Sequence, residues 1–324
     1  MAAMGLVTRF GLQIPSFSYP GVSDAELFER IAAIAASAEE SGWDSVWVMD
    51  HFYQIATVGP SEEPMLESYT LLSALAARTR RVSLGAMVTG VTYRNPALLA
   101  KQATTLDVVS GGRAILGIGA AWNEEEHAGY GFRFPPIGER MDRLEEALQI
   151  CRAMFTRERP SFDGRHYKIE RALNVPRPLR PEGIPILVGG GGERRTLALV
   201  AKYADACNLF GDLDTVRHKL EVLARHCDTV GRDPATITKT RLGALVIADT
   251  AEEAQRRRDA LIRARGGDPE RFRGYVLAGD PDTVCEQVAA YLDAGLDGLV
   301  FNMHEAHELA PVRLAGETLT RAFG

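Results

Sequence analysis

Residues 45–52 read SVWVMDHF, an apolar run with two valines that ends in Asp50 and His51. A short, apolar run rich in β-branched residues and bounded by polar ones predicts a strand, here over residues 45–50, that is buried on both faces. Strands of that kind occur in parallel sheets covered by helices. The segment therefore predicts an α/β protein.

The same alternation of a short apolar run and a longer amphipathic stretch continues along nearly the whole chain. We predict eight strands, at residues 9–15, 45–50, 82–88, 113–121, 185–189, 206–210, 240–248 and 298–304. Eight βα units are what a closed parallel barrel requires, although an open doubly wound sheet could also use eight strands. Since barrels of 324 residues fold as one unit, we expect residues 1–324 to form a single TIM barrel domain.

Four connections are longer than the alternation requires: residues 53–64, 122–138, 157–183 and 266–279. The third contains Asp163-Gly164, which predicts a small hairpin. Long connections in such barrels usually lie at the carboxyl-terminal face, where active sites are built. We therefore expect loop insertions that form pocket walls or lids, or else contacts with another copy.

Composition excludes several classes of protein. The 37 Lys and Arg residues against 43 Asp and Glu residues give a net charge of −6. This acidic balance does not indicate a protein that binds nucleic acid. No apolar run is long enough for a bilayer, and no secretion signal precedes the first strand. Four scattered cysteines predict reduced thiols and a cytoplasmic protein. Glu124-Glu125-Glu126 beside His127 is interpreted as solvated loop charge, so no metal is expected.

Candidate functional residues follow the predicted strands, where barrel active sites lie. An Asp50-His51 pair leaving a buried strand would provide a proton carrier and its hydrogen-bond partner, although a helix cap beside a surface histidine gives the same pattern. Thr89 follows the third strand, where it could meet a polar ligand. Gly117 and Gly119 in the fourth strand would let a flat ring approach the backbone, but close strand packing explains them equally well.

The fifth predicted strand ends in four glycines, residues 189–192, directly before a helix. Free backbone N–H groups and the helix dipole make this arrangement an anion site, to which Arg194 and Arg195 could add positive charge. Glu193 would oppose an anion there, and a flexible turn is the alternative. The segment predicts an anionic cofactor or substrate.

Taken together, these motifs resemble the luciferase-like monooxygenase superfamily, and within it the actinobacterial branch that uses coenzyme F420, a deazaflavin. The resemblance rests on segments spread along the chain, at residues 10–12, 45–52, 84–85, 93–96, 105–113, 117–127 and 294–298. It implies a TIM barrel, a homodimer and a small-molecule substrate.

The resemblance also implies roles for individual residues. His51 is the expected proton donor, and Met87-Val88 matches a bulge in which a non-proline cis peptide backs the cofactor ring. The full set expected to bind the cofactor is Asp50, His51, Met87, Val88, Thr89, Ala120, Ala121, Asn123, Gly191, Gly192 and Arg194.

The function that follows is an F420-dependent oxidoreductase, which transfers a hydride between the deazaflavin and an activated alkene, carbonyl or imine. Trp122 stands where the family's sugar-phosphate dehydrogenases carry a catalytic glutamate, which favours another substrate. Two alternatives stay open: an FMN-dependent monooxygenase with a separate reductase, and a non-catalytic protein that binds flavin or deazaflavin.

Overall fold

A computed structural model describes residues 9–265, 272 and 274–324. Its strands are Phe10–Ile14 (β1), Ser45–Val48 (β2), Ser83–Ala86 (β3), Thr89–Gly90 (β4), Ala114–Gly119 (β5), Phe162–Asp163 (β6), Lys168–Ile169 (β7), Ile186–Gly189 (β8), Ala206–Leu209 (β9), Thr238–Ile247 (β10), Val276–Gly279 (β11) and Gly298–Asn302 (β12). Its helices are Leu27–Glu40 (α1), Ser68–Arg78 (α2), Pro96–Ser110 (α3), Glu124–Gly129 (α4), Ile137–Thr156 (α5), Thr196–Tyr203 (α6), Leu213–Val230 (α7), Ala251–Ala264 (α8), Pro281–Asp293 (α9) and Ala310–Phe323 (α10).

Eight parallel strands close into a barrel in the order β1, β2, β3, β5, β8, β9, β10, β12 and back to β1. These are the eight strands predicted from the sequence, so the (β/α)8 architecture is confirmed and the open sheet is excluded. The long strand β10 pairs with β9 through its first residues and with β11 through its last, which extends the sheet beyond the barrel wall.

The barrel interior is filled by side chains that alternate with those facing the helices. Trp47 is fully buried at its centre, and a Cβ on Gly85 would lie 2.6 Å from the Trp47 ring, so the neighbouring strand accommodates the ring through a glycine. The inward cluster consists of Trp47, Met87, Val88, Ile115, Leu187, Ala206, Leu242 and Val300.

The predicted local features can be compared directly. Asn95 begins α3 by accepting a hydrogen bond from the Ala97 N–H at 2.9 Å, and Pro96 takes the first helical position. The hairpin forms between β6 and β7. The surrounding residues 157–183 do not line the cavity described below: the Lys101 Nζ and Asp107 Oδ2 atoms of α3 hold this segment along the outside of that helix.

Two helices were not predicted. The short helix α4 lies inside the connection at 122–138, and α10 closes the barrel after the last strand. Residues 266–271 and 273 of the connection at 266–279 lie outside the described residues, and its last four residues form β11. Within the described part of the chain, no helix has an apolar stretch that could cross a membrane.

Candidate active site

A cavity of about 280 Å³ opens at the carboxyl ends of β2, β3, β5, β8 and β9. This is the face at which barrel enzymes place their active sites. Its wall consists of Asp50, His51, Met87, Val88, Gly90, Tyr93, Gly119, Ala120, Ala121, Trp122, Ile137, Met141, Gly189, Gly190, Thr196, Asn208 and Phe210. Most of these residues are apolar or glycine.

Asp50 is buried and both of its carboxylate oxygens are occupied. Arg94 binds it in a bidentate pair at 2.7 and 2.9 Å, and the Ser68 hydroxyl and the Gly90 N–H donate to it at 2.6 and 3.1 Å. Burial disfavours the charge of Arg94, but the charge and hydrogen bonds of Asp50, with smaller contributions from Tyr69 and Glu67, together raise the pKa of the guanidinium. Asp50 therefore ties together the ends of β2 and β4 and the start of α2.

His51 is held by the buried carboxylate of Glu126, for which the interpretation as solvated loop charge is wrong. Its Nδ1 lies 2.7 Å from Oε1 of Glu126, a residue of α4 with no exposed surface. The Phe52 N–H donates to the other oxygen of Glu126 at 2.8 Å. Because the carboxylate accepts the Nδ1 proton, the neutral imidazole keeps its Nε2 as the atom available to a ligand.

Tyr93 completes this network by donating its hydroxyl proton to Glu126. Burial would raise the pKa of the Glu126 carboxyl, but the hydrogen bond and charge of His51 and the hydrogen bonds from Tyr93 and Phe52 lower it on balance. Burial, followed by the hydrogen bond to Glu126, raises the pKa of Tyr93. At neutral pH the network therefore contains a carboxylate and a protonated phenol beside the imidazole.

Met87 and Val88 form one wall of the cavity, and the peptide bond between them is cis, as the resemblance implied. A Cβ on Gly119 or on Gly189 would lie 2.8 Å from the Val88 side chain. Close packing against Val88 thus explains why glycine occupies both positions. For Gly119, strand packing was one of the two explanations that the sequence allowed.

The end of β5 forms the opposite wall. Ala121 has φ of 60°, in the left-handed region that favours glycine, and Arg140 donates to its carbonyl. Next to it, Trp122 meets the His51 ring edge-on, with centroids 5.4 Å apart. Arg140 and Ala121 together turn the chain so that Trp122 stands over the cavity.

Six of the eleven residues predicted to bind the cofactor line this cavity: Asp50, His51, Met87, Val88, Ala120 and Ala121. The other five do not. The Thr89 hydroxyl pairs with Tyr69 at 2.8 Å, and the Asn123 carbonyl accepts from Nδ1 of His127 at 2.6 Å.

The remaining three, Gly191, Gly192 and Arg194, lie on the glycine-rich segment beyond Gly189 and Gly190, which do line the cavity. Arg194 is exposed. The negative charge of Glu193 is offset, because Lys219 and His218 pair with its carboxylate at 2.5 and 3.1 Å. Glu193 therefore repels a nearby anion less than an unpaired carboxylate would. Among the described residues, no cluster of three or more His, Cys, Asp or Glu side chains could hold a metal.

A closed (β/α)8 barrel with a polar pair at one end of an apolar cavity defines a class of small-molecule enzymes. A profile of the luciferase-like monooxygenase family matches residues 8–298 of this chain. An F420-dependent glucose-6-phosphate dehydrogenase from Kineococcus radiotolerans is 33% identical, over 84% of this chain and 86% of the relative. The same enzyme from Nocardia farcinica is 32% identical, over 86% and 90%. The chain belongs to the luciferase-like monooxygenase family, as predicted.

Solved structures give the same fold at lower identity. A monooxygenase from Streptomyces bottropensis superposes with a TM-score of 0.82 at 21% identity, covering 98% of this chain and 100% of that one. A coenzyme F420-dependent tetrahydromethanopterin reductase from Methanopyrus kandleri gives 0.80 at 18% identity, covering 98% and 99%.

Proposed function

We propose that this protein is an F420-dependent oxidoreductase that transfers a hydride between the bound deazaflavin and a small organic substrate. The observation that carries the proposal is the His51 imidazole, which lines an apolar cavity while a fully buried Glu126 holds its Nδ1. The curated relatives at 32–33% identity, named as F420-dependent dehydrogenases, support the choice of cofactor.

The residues present fit a deazaflavin. Asn208 lies in the cavity wall, where its Oδ1 is buried and has no partner among the described residues. An unpaired buried acceptor is costly unless a ligand supplies a donor, and a planar heterocycle with N–H groups would do so. Met87, Val88, Ala120 and Ala121 would hold the ring. Gly191, Gly192 and Arg194 remain predicted to hold the anionic part of the cofactor.

When bound, F420 supplies or accepts a hydride. This chain's residues do the rest. Nε2 of the His51 imidazolium would donate a proton to the atom that gains negative charge, and Nε2 of the neutral imidazole would remove one in the reverse direction. The Glu126 carboxylate stabilises the imidazolium, and the apolar walls exclude water that would compete for the proton.

Titrating the purified protein with F420 and, separately, with FMN tests the cofactor. We expect F420 to have the lower dissociation constant. Tighter binding of FMN would instead support an FMN-dependent monooxygenase. Binding of F420 without oxidation or reduction of any compound in a broad panel would support a non-catalytic binding protein. If neither binds below about 100 μM, or about −5.5 kcal/mol, the proposal fails.

We further propose that the protein is a cytoplasmic homodimer whose residues 1–324 form one domain. Exposed apolar side chains on α3 and on the segment hydrogen bonded to it support pairing: Leu98, Val109, Leu173, Val175 and Leu179. All four cysteines, which lie in the described ranges, are free, in keeping with a reducing compartment. Sedimentation of the wild type and of Val175→Asp tests the dimer, which the substitution should dissociate.

A further inference from the structure

The cavity mouth exposes large apolar side chains. Trp122, Ile137 and Phe210 line the cavity and are 60%, 58% and 49% exposed. They come from the connection after β5, from the start of α5 and from the end of β9. When a ligand covers apolar surface at the mouth of a cavity, the binding free energy becomes more favourable by about 25 cal/mol per Å² of surface removed from water. The mouth is therefore built to hold an apolar group.

The charges around the cavity disfavour an anionic substrate. Asp50 lines the cavity, the buried Glu126 lies directly behind His51, and the half-buried Glu67 lies behind Arg94. The Arg94 guanidinium is hydrogen bonded to the carboxylates of Asp50 and Glu67. The Arg140 guanidinium donates a hydrogen bond to the Ala121 carbonyl. Within the described ranges, no lysine or arginine lines the cavity. A phosphate group would meet no lysine or arginine there and would lie near the Asp50 carboxylate.

A single polar contact remains for the substrate at the reacting end. Nδ1 of His51 is taken by Glu126, and Nε2 makes no hydrogen bond to the described residues. Because the imidazole has one free nitrogen, it can form a hydrogen bond to one oxygen atom of a ligand. The site thus combines one proton-transferring contact with an apolar mouth.

We infer that the substrate is an uncharged carbonyl compound with an apolar body, held by Trp122, Ile137 and Phe210, and that phosphorylated sugars are rejected. This inference rests on the proposed function. In the reducing direction, the carbonyl carbon would gain the hydride that reduced F420 loses, and the carbonyl oxygen would gain the Nε2 proton of the His51 imidazolium, which becomes the neutral imidazole. The products are the alcohol and oxidised F420, and the two electrons and two hydrogens balance.

The test compares two probes, 4-phenyl-2-butanone and glucose 6-phosphate, on the protein with and without F420. Binding is followed by saturation-transfer NMR, and turnover by the recovery of oxidised F420 absorbance. We expect saturation to be transferred from the protein to the ketone and not to the sugar phosphate. We also expect only the ketone to be turned over. Phe210→Ala should weaken ketone binding about tenfold, which is about 1.4 kcal/mol. Val230→Ala, at an exposed apolar residue at the end of α7 that lies outside the cavity wall, is the control and should leave ketone binding unchanged.

Binding of glucose 6-phosphate at least as tight as that of the ketone would overturn the inference, as would an unchanged ketone affinity in Phe210→Ala. Failure of the proposed function is a separate result. If F420 does not bind, the NMR comparison on the cofactor-free protein still shows whether the cavity mouth selects the ketone over the sugar phosphate.

Discussion

The Glu126 side chain accepts hydrogen bonds from four groups at once: the His51 imidazole, the Tyr93 hydroxyl and the N–H groups of Phe52 and Tyr53. A carboxylate has enough lone pairs for all four, whereas an amide of the same shape has one oxygen and adds a donor. Glu126 is therefore a positioning residue, acting on the substrate only through His51.

We expect Glu126→Gln to slow proton-coupled hydride transfer by at least about tenfold and to leave F420 affinity nearly unchanged. The imidazolium would lose its neighbouring negative charge, so the fall of the rate at high pH should move to lower pH. Steady-state kinetics across pH measure both effects. Glu124→Gln, at an exposed position of the same helix, is the control. A uniform loss of rate with an unshifted pH profile would indicate a merely structural role.

Prediction from sequence reached part of this site. Asp50 and His51 were identified because they follow a buried strand directly, and strand ends converge in a barrel. Glu126 was assigned to solvated loop charge because three successive acids look alike in sequence. Only the formation of α4 turns one of them inward, and that depends on the tertiary contacts of a six-residue helix.

At the scale of elements, β5 and β8 meet at Val88, and their glycines, Gly119 and Gly189, leave room for its side chain. A Cβ on Gly119 would lie 2.8 Å from Val88 Cγ2, so alanine there must displace the wall of the cavity. We expect Gly119→Ala to lower the free energy of unfolding by about 1–3 kcal/mol and to weaken F420 binding.

Urea unfolding and cofactor titration measure these two effects. Gly138→Ala is the matched control, because a Cβ at that position of α5 has no atom within 4 Å. Its stability should be unchanged or slightly higher, since alanine favours the helix. Equal stabilities for the two variants would contradict the packing explanation.

The eight barrel strands could be predicted because each is a compact apolar run between polar segments. The end of the chain could not be assigned from its pattern in the same way. Helix α10 begins after Leu309 with a backbone turn at φ of 63° and is held by the Trp43 Nε1–H, which donates to the Val312 carbonyl at 3.0 Å. That contact joins residues far apart in sequence, so local periodicity does not reveal it.

At the scale of the whole molecule, a half-buried histidine links stability to pH. His304 follows β12, and its Nδ1 accepts a hydrogen bond from Arg265 at 2.8 Å. Burial, and then the charge of Arg265, lowers the pKa of His304 from 6.5 to about 3. The unfolded chain takes up this proton as the pH falls through 6.5, whereas the folded chain does not. The corresponding stability is present above pH 6.5 and is lost as the pH falls towards 3.

We therefore expect the free energy of unfolding to fall more steeply between pH 6.5 and 4.5 in the wild type than in His304→Gln. The difference in slope can reach about 1.4 kcal/mol per pH unit. Urea unfolding at several pH values measures it. Glutamine keeps an acceptor for Arg265 but does not titrate. Parallel curves would show that His304 is not the group responsible.

The most direct test of the central claim is a crystal structure of the protein with F420 bound. The deazaflavin ring should lie in the cavity against Met87 and Val88, with His51 within hydrogen-bond reach of the reacting face and Glu126 still bonded to Nδ1. A ring bound elsewhere on the barrel, or a His51 side chain turned away from the ring, would contradict the proposed site and the proton transfer assigned to His51.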